Sequence, residues 1–218
     1  MNCRFCSDEL RTTFIDLKHA PPSNAYLTYK QLSEPELYLP LKIKVCETCW
    51  LVQTLDYVEP KEIFNLDYAY FSSTSSSWVK HGEKYTEKIC NMLNLNENSF
   101  VIEIACNDGY LLKNFLSNKI PCLGIEPTES TAKEAEKLGI KVIKDFFGES
   151  LSKDIAKNHS KADLIIGNNV YAHVPNIIDF TKGIKNLLKV DGTITLEFPH
   201  LLLLVKNNQF DTIYHEHY

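Results

Sequence analysis

No GxGxxG turn occurs anywhere in the 218 residues, and the chain holds only eight glycines. That absence argues against a nicotinamide dinucleotide site, whose pyrophosphate uses three glycines to approach a helix amino terminus. Long apolar runs are missing too. The longest, Leu201 to Val205, is five residues, against the ~20 that span a bilayer. Excess positive charge is also absent: 23 Lys and Arg face 28 Asp and Glu, for a net charge of −5. A nucleic-acid partner therefore gets little support from bulk electrostatics. The amino terminus, MNCRFCSDEL, lacks the apolar core of a signal peptide. A cytoplasmic protein without a membrane segment is the expectation.

What is present is ordinary for a globular protein: 44% hydrophobic and 23% charged residues. The length suits one full domain, or one domain with a small appendage. Seven cysteines in a reducing compartment are poor disulfide candidates. Four fall into two CxxC pairs, Cys3/Cys6 and Cys46/Cys49. They offer four thiolates at the spacing of a tetrahedral structural zinc site. Two unrelated reduced pairs, or a nucleic-acid zinc ribbon, are the alternatives, and few basic residues surround these cysteines. Cys90, Cys106 and Cys122 read as small buried apolar residues.

Three regions are expected: a zinc-binding domain over 1–60, a helical linker and ligand cap over 61–99, and an alternating strand–helix domain over 100–218. The first has a strand-like run at 38–45 leading into the second cysteine pair, and a region this small commonly needs a metal. In the second, five serines and a threonine lie between Phe71 and Trp78, with Tyr68 and Tyr70 just before them. The patch reads as a linker, or as a cap over a ligand leading into a helix over 79–93. From Phe100 the pattern alternates. Strands are predicted near 100–105, 121–126, 140–144, 163–168 and 193–198, with helices near 109–118, 130–138, 149–157 and 176–189. Thr128 and Ser130 suit helix amino-terminal caps, and Gly139 and Gly192 suit carboxyl ends. Such alternation implies a parallel sheet with helices on both faces. The sheet reads as incomplete, which leaves an unpaired strand edge and favours self-association; the oligomeric state is otherwise open.

The stretch FVIEIACNDGYLLKNFLSNKIPCLGIEPT over 100–128 carries most of the chemistry. It reads as strand, tight polar loop, helix and second strand ending in an acid. One glycine in the turn points toward S-adenosylmethionine. The loop presents backbone N–H groups and a helix dipole to an anionic group, the methionine carboxylate of that cofactor. Gly109 permits close backbone approach. Glu103 and Asn107 bind the amino group or order the loop, and Glu126 is placed for both ribose hydroxyls. A plain strand–helix turn with a solvated Glu126 is the alternative.

His173, in NNVYAHVP at the carboxyl end of the fourth predicted strand, projects toward the ligand crevice of an open parallel sheet or caps the next helix. The tail NQFDTIYHEHY sets a phenol, a carboxylate and imidazoles side by side. It suits proton abstraction beside a carbonyl, with His217 as base, Glu216 as its orienter and Tyr214 donating to an enolate oxygen. Two histidines two apart could instead bind a metal, or the tail could be disordered.

Together these segments resemble the sugar C-methyltransferases, S-adenosylmethionine-dependent enzymes that methylate C-3′ of nucleotide-linked 4-keto-deoxysugars. The stretches that carry the resemblance are the paired CxxC, the serine patch with Trp78, IEIACNDGYLL, GIEPTESTA, NVYAHVPNIIDF, LEFPHL and FDTIYHEHY. The resemblance implies a Rossmann-like class I methyltransferase core, α/β, behind a small zinc-binding domain. It also implies a carboxyl-terminal domain for the nucleotide sugar, which this chain is expected to lack. It makes His217 the base, with Tyr214, Glu216 and His173 around the sugar and Tyr68 or Tyr70 in the cap. The implied cofactor set is Glu103, Ala105, Asn107, Gly109, Glu126, Pro127, Asn169 and Tyr70; Cys3, Cys6, Cys46 and Cys49 would hold Zn2+. An O- or N-methyltransferase of another small metabolite would share the cofactor half, and so would an inactive fragment.

Overall fold

The computed structural model describes residues 1–24, 26–57 and 70–218. Tyr68, and the part of the expected cap before Tyr70, lie outside the described residues. The chain divides into two compact units. One, here the metal unit, comprises Met1–Tyr68, Tyr171–Ile178 and Phe198–Tyr218; the other, the sheet unit, comprises Ala69–Val170 and Asp179–Glu197.

The metal unit is built on an antiparallel sheet, β1 (Thr12–Ala20), β2 (Leu39–Val45) and β3 (Val52–Thr54), in that order. The β2–β3 turn contains the second cysteine pair, closed by Cys46 N–H to the Leu51 carbonyl at 3.0 Å and Trp50 N–H to the Cys46 carbonyl at 2.9 Å. The first pair repeats this turn. Cys3 N–H donates to the Asp8 carbonyl at 2.7 Å and Ser7 N–H to the Cys3 carbonyl at 2.9 Å. Ser7 and Trp50 each have φ of +66°, a left-handed position that non-glycine residues seldom take. Two segments unrelated in sequence thus adopt one knuckle geometry.

The sheet unit holds five parallel strands in the order β6-β5-β4-β7-β8. These are β4 (Val101–Ile104), β5 (Cys122–Ile125), β6 (Val142–Ile143), β7 (Ala162–Asn168) and β8 (Leu188–Glu197). Both β4 and β5 are buried along their whole length, so apart from Glu103 they are apolar on both faces rather than alternating. Five helices accompany them: α1 (Ser76–Leu93), α2 (Leu112–Ser117), α3 (Glu129–Lys137), α4 (Glu149–Asn158) and α5 (Ile177–Leu187). One cluster including Val101, Leu111, Leu112, Phe115, Leu164 and Ile166 forms the core. Cys106 and Cys122 belong to it, and Cys90 packs against it. Among the described residues no helix is long and apolar enough to cross a membrane.

From Phe100 onward the predicted strands and helices occur in the observed order, with some differences there and just before it; β1 and β3 were not predicted. Helix α1 starts inside the serine patch because the Ser75 side chain caps it, accepting from Trp78 N–H at 3.3 Å. Gly139 does end α3, at φ +85°, but Gly192 stops no helix. It lies inside β8, where an added Cβ would stand 2.9 Å from the Ala162 carbonyl. Beside it the β7–β8 register shifts between Ala162 and Leu164, so the glycine lets the strands close at that bend. A short helix, α6 (Leu201–Lys206), forms where only an apolar run was evident. Thr128 holds the cap position of α3 without a side-chain bond, and Ser130 lies within the helix.

Candidate functional site

The four knuckle cysteines converge. Their Sγ atoms all lie within 4.8 Å of one another, with Cys3–Cys49 and Cys6–Cys46 each at 3.5 Å. A Zn–S bond of about 2.3 Å makes the edge of a tetrahedron about 3.8 Å, so the set suits a tetrahedral zinc, and all four cysteines are free thiols. Burial raises the Cys3 thiol, but the Cys6 N–H, Gln53 and the Phe5 N–H outweigh it and bring it to about 6. The N–H of Cys49 is the main cause lowering Cys46. Backbone donors lower all four thiols, toward the thiolate that binds metal, but burial and the neighbouring thiols raise Cys6 and Cys49 overall, Cys49 to about 12. Among the described residues this is the one grouping of three or more metal-ligating side chains.

In the sheet unit, strand order reverses between β4 and β7, the switch point where open α/β sheets bind ligands. The loop after β4 is tightly coiled: Ala105, Asn107 and Gly109 have φ of +58°, +50° and +78°. At Gly109 the close approach is to α3 and its following turn, since a Cβ there would lie 2.4 Å from Ile140 Cδ1 and 3.1 Å from Ala135 Cβ. Glu126 is 4% exposed and ties the second strand to this loop. Its Oε2 accepts from Asn107 N–H at 2.9 Å and its Oε1 from Thr128 N–H at 2.8 Å.

The Asn107 side chain reaches the serine segment. Oδ1 accepts from Ser72 N–H at 2.9 Å, while Nδ2 donates to the Tyr70 carbonyl at 3.1 Å. Asp108 Oδ2 accepts from Ser73 N–H at 2.9 Å. Residues 70–73 are therefore strapped to the loop after β4 through backbone groups, leaving Tyr70 half exposed. Pro127 is half-buried after Glu126. Asn169 turns the chain out of β7 at φ +50°, its N–H on the Glu197 carbonyl at 2.7 Å.

Three buried atoms here lack partners: Glu103 Oε2, Asp108 Oδ1 and Asn168 Nδ2. Asn168 escaped the sequence reading as a site residue; its side chain lies beside the Tyr110 hydroxyl. Burial, then the charges of Glu126 and Asp108, push Glu103 well above the usual carboxylate range; burial likewise raises Glu126. Unsatisfied buried polar atoms are costly. Two acceptors and one donor, beside a carboxylate with lone pairs to spare, fit a ligand carrying an ammonium, a carboxylate and hydroxyls. S-adenosylmethionine has all three.

The tail belongs to the metal unit and is folded, with His215 7% and Glu216 2% exposed. His173 and His217 lie with ring centroids 4.8 Å apart, and Tyr214 stacks on His217 at 4.3 Å. His173 Nδ1 faces the Glu216 carbonyl oxygen at 2.8 Å, which fixes the N–H there and the lone pair on Nε2. Burial lowers His173, and takes His217 to about 4 despite the Thr212 carbonyl that its ring N–H bonds. Glu216 turns to other partners: its Oε1 accepts from the Ser23 hydroxyl at 2.6 Å and Asn24 Nδ2 at 2.7 Å. His215 faces the Pro40 carbonyl at 3.2 Å.

Comparison with known proteins matches this arrangement. A family model described as a zinc binding domain covers residues 3–64, and one described as a methyltransferase domain covers residues 78–218. C-methyltransferase NovU of Streptomyces niveus is 31% identical over 216 residues, which is 99% of this chain and 51% of NovU. The chain thus spans about half the length of this curated relative. Among solved structures, similarity extends to the plantazolicin methyltransferase BamL with a triazolic desmethylPZN analog and SAH (24% identity, 44% of this chain, 36% of that one, TM-score 0.39). It extends also to a SAM-dependent methyltransferase of Archaeoglobus fulgidus (16% identity, 61% of each chain, TM-score 0.45). The family follows from the sequence matches: with a methyltransferase domain over well more than half its length, the chain belongs to the S-adenosylmethionine-dependent methyltransferases, preceded by a zinc-binding domain.

Proposed function

We propose that this chain works in the transfer of a methyl group to a carbon of a nucleotide-linked keto-deoxysugar, at C-3′ and through an enolate. The observation that carries the reading is the pair of buried imidazoles, His173 and His217, each with its N–H tied to a backbone carbonyl. A neutral imidazole with its N–H engaged has its lone pair fixed on the other nitrogen, as a general base requires. A methyltransferase acting on a hydroxyl or amine needs no carbon-acid base.

In this reading His217 removes the proton alpha to the ketone, and His173 holds the reacting sugar beside it. Tyr214, stacked on His217, donates to the developing enolate oxygen. That donation matters because a base held at about 4 is weak and the carbon acid must be strengthened instead. Glu216 acts through Ser23 and Asn24 and through the carbonyl it offers His173, so it positions the bases. Bound S-adenosylmethionine supplies an electrophilic methyl on a sulfonium. Glu103 and Asp108 would take its ammonium, Asn168 its carboxylate and Glu126 its ribose. Ala105, Gly109, Pro127 and Asn169 would shape the backbone around it, with Asn107 and Tyr70 closing over the loop. The four cysteines would hold zinc as a structural ion.

The His217→Asn variant tests the base. It should abolish methyl transfer and also solvent deuterium exchange at the sugar carbon, with S-adenosylmethionine affinity unchanged. Exchange persisting at the wild-type rate would exclude His217.

A further inference from the structure

Arg4 lies between two metal ligands, inside the first CxxC. Its side-chain is about nine-tenths buried, and it joins the knuckle to three other parts of the metal unit. Nη2 donates to Asp56 Oδ1 at 2.6 Å and to the Thr54 carbonyl at 3.2 Å. Nη1 donates to the Pro175 carbonyl at 2.8 Å, and the guanidinium stands 5.3 Å from the centre of the Tyr218 ring. The Arg4 N–H donates to Gln53 Oε1 at 3.0 Å, and Gln53 Nε2 reaches Cys3 Sγ at 3.2 Å.

Three of these partners lead to a histidine. Pro175 is two residues beyond His173. Tyr218 N–H donates to the Ala172 carbonyl at 2.9 Å, and the Thr54 hydroxyl donates to the His217 carbonyl. The His173 ring closes the circuit on the Glu216 carbonyl. A guanidinium can make this grip because its donors form a rigid planar fork; a lysine ammonium is a single point charge.

We propose that Arg4 is a positioning residue that carries the order of the metal knuckle to the His173–His217 pair, so that the cysteine site sets the orientation of the bases. The ion pair with Asp56 alone would ask for no such reach. The Pro175 and Thr54 carbonyls and the Tyr218 ring fix three separate chain segments against one side chain. This assignment rests on the reading of the two histidines as the reacting pair, but its main test does not.

The test compares Arg4→Met with the wild type as zinc-loaded full chains, by NMR of ring-labelled histidines across a pH series. Arg4→Met should keep one zinc per chain while the His173 and His217 signals move and titrate closer to 6.5. Methyl transfer should fall roughly tenfold to hundredfold in kcat, as for a misplaced catalytic group, with KM for S-adenosylmethionine unchanged. Arg4→Lys should recover only part. If Arg4→Met does not fold, Asp56→Asn, at a half-exposed position, should shift the same two histidines by less. Wild-type histidine signals in these variants would overturn the proposal. So would loss of zinc from Arg4→Met, which would make Arg4 a metal-retention residue. Shifted histidines with undiminished methyl transfer would support the link from Arg4 and refute the histidines as bases.

Discussion

The two units are stabilised by different means. The sheet unit closes on a broad apolar core in which Val101, Leu112, Phe115 and Leu164 are fully buried. Around the metal ligands the apolar cluster is only Cys3, Leu10 and Cys46, with Cys49 and Leu51 against it. Hydrogen bonds from Arg4, Gln53, Ser23 and Asn24 do much of the remaining work. A core of that size supplies little stability by itself. The lesson is that the proposed cofactor site lies in a unit that folds by burial, while the proposed bases reside in a unit held by polar contacts around the four cysteines.

Metal removal should break this contrast most strongly. A structural zinc contributes on the order of 10 kcal/mol to the fold of a small domain. Chelation, or Cys46→Ala, should erase hydrogen-exchange protection in β1, β2 and β3 and leave β4, β5 and β7 protected. Equal loss in both units would contradict the division.

Acid should separate the units in opposite directions. His173 and His217 are depressed by burial, His217 to about 4. Their contribution is present above the unfolded value of about 6.5 and is lost as pH falls from there toward 4. Glu103 and Glu126 are raised, chiefly by burial. The folded state then holds their protons more tightly than the unfolded chain does, so stability gained below about 4.3 is lost as pH rises through the raised values. Between pH 7 and pH 5, exchange protection should fall in the metal unit and rise in the ligand-free sheet unit. Parallel change in the two would refute the assignment of these shifts.

The smallest expected effect sharpens the sheet unit alone. Asn107→Gly keeps the left-handed backbone and the bond to Glu126 but removes both contacts to Tyr70 and Ser72. It should speed S-adenosylhomocysteine dissociation roughly tenfold, the worth of about one net hydrogen bond, and deprotect the Ser72 amide. A weaker affinity with the Ser72 amide still protected would make Asn107 a direct ligand.

Much of this was legible in the sequence. Strands β4, β5 and β7 announce themselves because burial on both faces leaves mostly apolar stretches broken only by Glu103, Asp163 and Asn168, and the knuckles do so because paired thiolates need that spacing. Glu103, Asn107 and Glu126 could be grouped from sequence because one chain segment contains the whole strand–loop–strand unit, in which Asn107 N–H does meet Glu126. What escaped depends on distance along the chain. Nothing local says that Arg4 meets Pro175, that Glu216 bonds Ser23 and Asn24, or that Tyr171–Ile178 and Phe198–Tyr218 belong to the unit of the cysteines. Gly192 misled because a glycine after a helical pattern reads as a stop, whereas its role is to clear the Ala162 carbonyl one strand away.

Methylation at carbon is what separates this reading from transfer to oxygen or nitrogen. It is tested most directly by supplying the zinc-loaded chain with methyl-13C S-adenosylmethionine and a nucleotide-linked 4-keto-deoxysugar, then reading the product by NMR. The labelled methyl should be bonded to C-3′, with deuterium from solvent entering that position in the absence of the methyl donor. A label bonded to oxygen or nitrogen would contradict it.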